Sequence, residues 1–318
     1  MYFPYLRGRQ FELIALRELL ENGNLSEKVI PIIEPIKPTI TLYKTLKLFN
    51  DLNRSVAVIF NPDVGSFKKN ILEFNPDDND LDRALVDVLK SKNIIKAYLA
   101  NPEFVRKVQN ESDKNDYLVI NKNRDCLEFF KKVYKESEPK YVLMPDDRAF
   151  RRTVGNGRIL LEDCFNKKKK NADYKESEDE FFTDIHLCFE EENYLGFSDY
   201  SIVGQDFSET GFVPAAVTIH MVYFDDSNEM RIRHFVSDKV TGQEDPAGKF
   251  GEALDKMIKW CDANDVPRTA GLEAFYEYYN NKNYPGLGVV KKLSIMHHIE
   301  LMGCFLEGKK IENRNRLF

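Results

Sequence analysis

The sequence predicts an α/β fold of the (β/α)8 TIM-barrel type, with an extra β-hairpin and C-terminal helices. Short runs of Val, Ile and Leu without polar alternation are typical of parallel strands buried on both faces. Segments with helical spacing of apolar residues separate them. The runs end on a carboxylate or an amide and are residues 29–34 (VIPIIE), 56–61 (VAVIFN), 117–121 (YLVIN), 141–146 (YVLMPD), 159–162 (ILLE) and, more weakly, 96–101 (KAYLAN).

Helical segments lie between these runs and complete the alternation. The first helix is expected over residues 11–20, and a second over 42–53 with Thr41 as its cap. Further helices are expected at 81–91, 103–108 and 125–136. An open doubly wound sheet also fits this rhythm. A GxGxxG motif after the first strand and a P-loop are both absent from the sequence, which favours the closed barrel.

The character of the chain changes in its second half. Residues 212–224 and 230–236 are β-rich and flank the turn sequence DDSN, which predicts a hairpin. Helices are expected at 249–260, at 271–279 and at the end of 284–308. The polar block 166–180 is expected to be a mobile surface loop. We therefore predict one barrel-like domain over 1–318, in which 225–318 form the hairpin and the C-terminal helical elaboration.

Composition indicates a soluble cytoplasmic protein. The five cysteines are scattered without a CxxC motif, which is typical of free thiols in a reducing compartment. The chain contains no apolar run of about 18 residues and no secretory signal pattern, so no membrane association is expected. Its net charge of −6 argues against nucleic-acid binding through a strongly basic surface.

Strand-end carboxylates are the first candidates for a site. Parallel strands direct their carboxyl ends to one mouth, where barrel enzymes place their chemistry. Clustered oxygen ligands would suit Mg²⁺ or Mn²⁺, and neighbouring carboxylates would suit acid–base catalysis. The alternative is that they cap helices or are solvated in loops. The candidates are Glu34, Asp146, Asp147, Glu162 and Asp163, with Asn61, Asn101 and Asn121 beside them. Asp199, which precedes the strand-like run SIVG in the segment 194–207, is a second candidate, for which a turn-rich connector is the alternative.

A histidine and three arginines extend this list. His220 lies within a predicted strand and is either a base, a metal ligand or a buried core residue. Arg7 and Arg9 precede the first helix, where cations and free N–H groups bind anions, although Arg9 could instead pair with Glu12. Arg151 follows the fifth strand. The three arginines make a phosphate-bearing ligand more favourable than a neutral one.

The opening of the chain resembles the bacterial and phage "Beta protein" family. Members begin with a Tyr-x-Pro-x-Leu-(Lys/Arg)-x-(Arg/Lys)-x-x-Glu pattern, followed by a Pro-Leu-(Leu/Ile)-Glu strand. A departure is the long hairpin, which looks like a subgroup feature. The matching positions are Tyr2, Pro4, Leu6, Arg7, Arg9, Glu12, Pro31 and Glu34, and later Ser198, Asp199, Tyr200, Tyr223, His297 and His298.

The resemblance implies a barrel-like fold and a place in mobile or defence-related gene neighbourhoods, often beside a nuclease. It supplies no catalytic residues. Three hypotheses follow. The chain is a component of an antiphage or mobile-element-linked system that acts with a protein partner on, or in response to, nucleic acid or nucleotides. It is a stand-alone metal-dependent phosphodiesterase or related hydrolase. It is a non-catalytic scaffold for a nuclease.

Overall fold

A parallel eight-stranded barrel is the central feature of the structure, a computed structural model that describes residues 1–69, 80–208 and 214–311. This confirms the predicted TIM-barrel-like fold. The parallel sheet follows the order β1-β2-β3-β4-β5-β6-β7-β9. The strands are β1 (Tyr5–Leu6), β2 (Ile32–Ile33), β3 (Val56–Ile59), β4 (Ile94–Leu99), β5 (Leu118–Ile120), β6 (Tyr141–Met144), β7 (Arg158–Leu161), β8 (Asp179–Thr183), β9 (Gly196–Ser198), β10 (Thr218–Phe224) and β11 (Met230–Val236).

Backbone hydrogen bonds between the first and last barrel strands close the sheet. The Phe3 N–H donates to the Phe197 carbonyl at 2.8 Å, and the Phe197 N–H donates to the Met1 carbonyl at 3.0 Å. One step further along, the Tyr5 N–H donates to the Asp199 carbonyl at 2.8 Å. Because both edges are paired, neither edge strand is left open to another chain.

The helices alternate with the strands as predicted. Capping differs in detail: Thr39, not Thr41, caps α2, because its side chain accepts from the Leu42 N–H at 3.1 Å. Thr41 instead lies in the first turn. The helices are α1 (Gln10–Glu21), α2 (Ile40–Asp51), α3 (Asp80–Val88), α4 (Pro102–Val108), α5 (Cys126–Val133), α6 (Arg148–Thr153), α7 (Ile185–Cys188), α8 (Pro246–Ala263), α9 (Ala270–Asn281) and α10 (Leu287–Leu306).

Apolar side chains at alternate positions of the barrel strands fill its core, since successive side chains of a strand point to opposite faces. The residue two positions beyond each pair therefore lies on the inner side at the carboxyl end. The core pairs are Phe3 and Tyr5, Ile30 and Ile32, Ala57 and Ile59, Ala97 and Leu99, Leu118 and Ile120, Tyr141 and Leu143, and Ile159 and Leu161. We define the mouth layer as the polar residues at these positions, which are Arg7, Glu34, Asn61, Asn101, Lys122 and Asp163, together with the core residue Tyr200; the seventh position is Pro145.

Amide side chains extend the sheet where the backbone ladder ends. Asn61 Nδ2 donates to the Leu99 carbonyl at 2.8 Å, and Asn61 Oδ1 accepts from the Leu99 N–H at 2.8 Å. Asn121 Nδ2 donates to the Leu143 carbonyl at 3.1 Å. Asn101 accepts from the Phe104 N–H at 3.0 Å and caps α4. These amides thus stabilise strand ends and a helix start, which is the structural alternative considered for them.

A second, antiparallel sheet is built from β10, β11 and β8 in that order. The predicted hairpin is confirmed, with Thr218 opposite Val236 and Phe224 opposite Met230. The prediction of a loop over 166–180 is wrong for its second part. A 3-10 helix covers Asn171–Ser177, and β8 begins at Asp179 because its backbone pairs with β11.

The chain forms two compact units. The first contains Met1–Leu13, Glu27–Asp163 and Cys188–Tyr200, and it includes all the barrel strands. The second contains Ile14–Ser26, Cys164–Leu187 and Ser201–Phe318, and it includes the antiparallel sheet and α8 to α10. In the portion of the chain that the structure describes, every helix is too short or too polar to cross a membrane.

Candidate functional site: the barrel mouth

Glu34 is the buried centre of the barrel mouth. Its side chain is fully buried and forms an ion pair with Arg7, whose side chain is 7 % exposed. Tyr5 Oη donates to Glu34 Oε2 at 2.6 Å, and the Asp63 N–H donates to Glu34 Oε1 at 2.9 Å. Both carboxylate oxygens are therefore occupied by donors. This arrangement makes Glu34 a positioning residue for Arg7 and Tyr5.

Two tyrosine rings flank the Arg7 guanidinium. Arg7 Cζ lies 5.2 Å from the Tyr5 ring centroid and 5.6 Å from that of Tyr200, within the range of cation–π attraction. Burial raises the pKa of both phenols, so both stay protonated and Tyr5 donates to Glu34. Burial opposes the charge of Arg7, but Tyr5 and Glu34 raise the pKa of Arg7 above its ordinary value. Arg7 is therefore a fixed cation.

Lys122 brings a second cation to the same ring. Its Nζ lies 6.0 Å from the Tyr5 centroid and 3.3 Å from Asp63 Oδ2. The Lys122 side chain is 19 % exposed and that of Asp63 is 54 % exposed. Water screens an ion pair with such an exposed member, and a competing anion can exchange with Asp63 at low cost. The mouth thus holds one cation with a buried partner, Arg7, and one cation whose partner a ligand can replace, Lys122.

The predicted carboxylates occupy different surroundings. Asp163 belongs to the mouth layer but is exposed; burial first, and then the charge of Asp163, raise the pKa of Tyr200. Glu162 is exposed on the opposite side of the strand end. Asp199 is buried and accepts from Tyr2 Oη at 2.8 Å. Asp146 is exposed and forms an ion pair with Arg151.

The predicted anion-binding arginines also differ from one another. Arg7 lies in the mouth and is paired with Glu34. Arg151 is on α6, where its pair with Asp146 is solvent-exposed. Arg9 is half-buried, and its backbone N–H lies 3.4 Å from Glu12 Oε2, which also accepts from the Arg7 N–H at 2.7 Å. The structure brings together Arg7 with Glu34 and Arg151 with Asp146.

His220 belongs to the antiparallel sheet, in the second unit. Its Nδ1 lies 2.8 Å from His234 Nδ1, and His234 Nε2 lies 3.2 Å from Glu180 Oε2. Burial lowers the pKa of His220 well below its ordinary value, and His234 lowers it further. Because His234 donates to Glu180 through Nε2, its Nδ1 accepts a hydrogen bond from the Nδ1–H of His220. His220 is therefore a neutral imidazole in a Glu–His–His chain.

The adjacent histidines of α10 are both buried and have different partners. Thr269 Oγ1 lies 2.7 Å from His297 Nδ1, and His297 Nε2 lies 2.8 Å from the Val222 carbonyl. His298 Nδ1 lies 2.9 Å from Ser201 Oγ, and Ser201 has a φ of 51°. His297 thus links the start of α9 and strand β10 to α10.

No protein-family model, curated protein or solved structure matches this chain. In residues 1–69, 80–208 and 214–311, no group of three or more His, Cys, Asp or Glu side chains is placed to hold a metal ion.

Four residues at the mouth, Tyr5, Lys122, Asp63 and Tyr200, are not among the candidates predicted from the sequence. The signal for three of them was present, since Tyr5, Lys122 and Tyr200 all have side chains on the inner face of the barrel. Alternate residues of a strand share one face, so Lys122 points to the same inner face as Ile120. The apolar run ends one residue earlier, at Asn121. Asp63 lies in the loop after β3, where it pairs with Lys122 through its carboxylate and donates its backbone N–H to Glu34, a contact that residue type cannot reveal.

Replacing Arg7 by alanine is expected to destabilise the protein by about 3–5 kcal/mol, because the buried Glu34 carboxylate loses its counter-ion. Tyr5→Phe should cost about 2 kcal/mol, the value of one hydrogen bond to a charged group. Urea denaturation measures both changes. The matched control is Lys47→Ala, which removes an exposed pair with Asp51 in α2 and should change the free energy of unfolding far less than Arg7→Ala. Equal effects of Arg7→Ala and Lys47→Ala would refute the structural role of the buried pair.

The free energy of unfolding should also decrease as the pH is lowered, because His297 is buried in its neutral form. Burial lowers the pKa of His297 from 6.5 to about 4. Between these values the unfolded chain binds a proton at this position and the folded chain does not, so lowering the pH favours unfolding. The difference in pKa corresponds to about 3 kcal/mol lost between pH 6.5 and pH 4.

The variant His297→Gln isolates this contribution, since glutamine retains an N–H donor for Val222 but does not titrate. Its free energy of unfolding should fall by about 3 kcal/mol less than that of the native chain over the same pH range. Chemical denaturation at several pH values provides the measurement. Parallel curves for the two proteins would contradict the neutral assignment of His297.

Proposed function

We propose that this chain is a cytoplasmic component of a bacterial antiphage or mobile-element-linked system, and that its barrel mouth binds a phosphate group of a nucleotide or nucleic acid. In this proposal it acts with a protein partner encoded nearby, for which a nuclease is the candidate. The resemblance to the "Beta protein" family supports the biological setting. The geometry of the mouth supports the ligand class.

The observation that carries the ligand proposal is the approach of two cations to one ring. Arg7 Cζ and Lys122 Nζ lie 5.2 and 6.0 Å from the centroid of Tyr5, and they come from strands on different sides of the barrel. A phosphate that enters the mouth would replace Asp63 as the anionic partner of Lys122. Arg7 would remain paired with Glu34 and contribute its field. Binding then needs no rearrangement of a buried charge.

The protein partner is supported by the net charge of the chain. A net charge of −6 opposes the long-range attraction of a duplex, which carries dense negative charge. A protein that acts on nucleic acid despite this charge is expected to reach it through a partner. A ligand as small as a nucleotide, in contrast, needs only the local cations of the mouth.

Lys122→Ala is expected to weaken binding of a mononucleotide roughly 10-fold, the effect of one lost charge-assisted hydrogen bond. Isothermal titration calorimetry with inorganic phosphate, mononucleotides and a short single-stranded oligonucleotide measures this. Lys90→Ala is the control, because Lys90 follows α3 and its side chain is 71 % exposed. An equal loss in both variants, or equal affinity of Lys122→Ala and the native protein, would refute the mouth as the phosphate site.

Expression of the tagged chain together with its flanking genes should yield a stable complex with a protein encoded there. Mass spectrometry of the purified complex identifies the partner, and size-exclusion chromatography gives its stoichiometry. Expression of the tagged chain alone in the same host is the control. Purification of the chain alone in both cases would refute the partner proposal and leave the ligand proposal to its own test.

A further inference from the structure

A small cavity in the second unit carries a concentration of positive charge. Its volume is about 190 Å³, and it lies beside strand β11 and helix α8. The side chains that matter for its chemistry are Lys175, Glu178, Arg233, His234, Lys256 and Trp260. Three of these are cations and one is a carboxylate, in a chain whose overall charge is −6.

The existing partners of the three cations leave them able to bind an anion. Lys175 Nζ donates to the Asp238 carbonyl at 3.1 Å. Because a backbone carbonyl is neutral, this hydrogen bond does not neutralise the charge of Lys175. Lys256 Nζ lies 2.7 Å from Asp238 Oδ1, and the Asp238 side chain is 71 % exposed. Arg233 lies 3.6 Å from Glu178, whose side chain is 62 % exposed, and 3.4 Å from Asp179. Asp179 is less exposed, but it is shared with Arg231, which lies closer to it at 2.6 Å. Exposed carboxylates are weak competitors for a ligand that enters the cavity.

Aromatic and imidazole side chains hold the cationic wall in place. Arg233 Cζ lies 5.2 Å from the Trp260 ring centroid, which orients the guanidinium and partly replaces its hydration. His234 is almost fully buried, and both of its nitrogens are engaged, with His220 and with Glu180. It therefore forms a fixed wall of the cavity. The side chains that can contact a ligand are therefore Lys175, Arg233 and Lys256.

We propose that this cavity binds a phosphate group, either as inorganic phosphate or as the phosphate of a nucleotide. A phosphate offers three or four strong acceptors and close to two negative charges, which matches one planar guanidinium and two ammonium groups. The cavity is smaller than the roughly 300–1,000 Å³ of typical sites for drug-sized ligands. It therefore takes the phosphate group itself, with any nucleoside outside. This site is separate from the barrel-mouth proposal and does not depend on it.

The chain contains one tryptophan, Trp260, which lines this cavity and reports on it directly. Titration with phosphate is expected to change its fluorescence with saturation below about 10 mM, a millimolar or stronger dissociation constant. Adenosine monophosphate and adenosine serve as the other two ligands. A nucleotide that binds about 10-fold more tightly than phosphate identifies the nucleotide as the source, and equal affinities identify the free ion. Adenosine alone should have no effect.

Lys256 and Lys259 both lie on α8, so variants at these two positions provide the matched test. Lys256→Gln removes a cation of the cavity and should weaken phosphate binding roughly 10-fold, as should Lys175→Gln. Lys259→Gln should change the affinity less than about 2-fold, because Lys259 is exposed and pairs with Asp255 on α8. Thermal denaturation checks that all three variants fold.

Three results would overturn the proposal. One is a fluorescence signal that does not change with phosphate or nucleotide. Another is an equal loss of affinity in Lys256→Gln and Lys259→Gln, which would indicate a general charge effect. The third is undiminished binding to the double variant Lys175→Gln/Lys256→Gln. Because Lys122→Ala should leave the Trp260 titration unchanged, failure of this site is distinguishable from failure of the barrel mouth.

Discussion

Burial of the Glu34 carboxylate is the constraint on which the barrel mouth depends. Removing an ion from water costs several kcal/mol unless a counter-ion and hydrogen bonds compensate for it. Glu34 receives these from Arg7, Tyr5 and the Asp63 N–H, which belong to the β1 segment and to the loop after β3. The carboxylate thereby joins three neighbouring segments of the barrel. It also fixes Arg7, so that Lys122 is the mouth cation with an exposed and exchangeable partner.

The fold was predictable because parallel strands bury both faces. The strands Val56–Ile59 and Tyr141–Met144 are apolar at every position, and every residue in them is buried. The site was only partly predictable, because the end of an apolar run does not say which way its last side chain points. Glu162 ends its run, whereas strand alternation from Ile159 and Leu161 assigns Asp163, one residue later, to the inner side; both side chains are exposed. The twofold period of a strand distinguishes them.

Other features could not be read from the sequence because they depend on a neighbouring strand. Asn61 binds both backbone groups of Leu99, a residue 38 positions away that only the register of β3 and β4 brings close. The pairing of His220 with His234 depends likewise on the hairpin register. A residue type can suggest a ligand or a base in such cases, but the hydrogen bonds of the folded chain decide whether the group is already occupied.

Local charge, rather than net charge, decides which anions this chain can bind. At physiological salt the field of an exposed charge decays over about 8 Å, so distant carboxylates contribute little inside a cavity lined by Lys175, Arg233 and Lys256. The net charge of −6 still acts on a large polyanion, whose many phosphates extend beyond any one cationic cluster. A single phosphate group avoids that repulsion. For the two proposed phosphate sites, the distribution of charge therefore favours small phosphate-bearing ligands over a duplex.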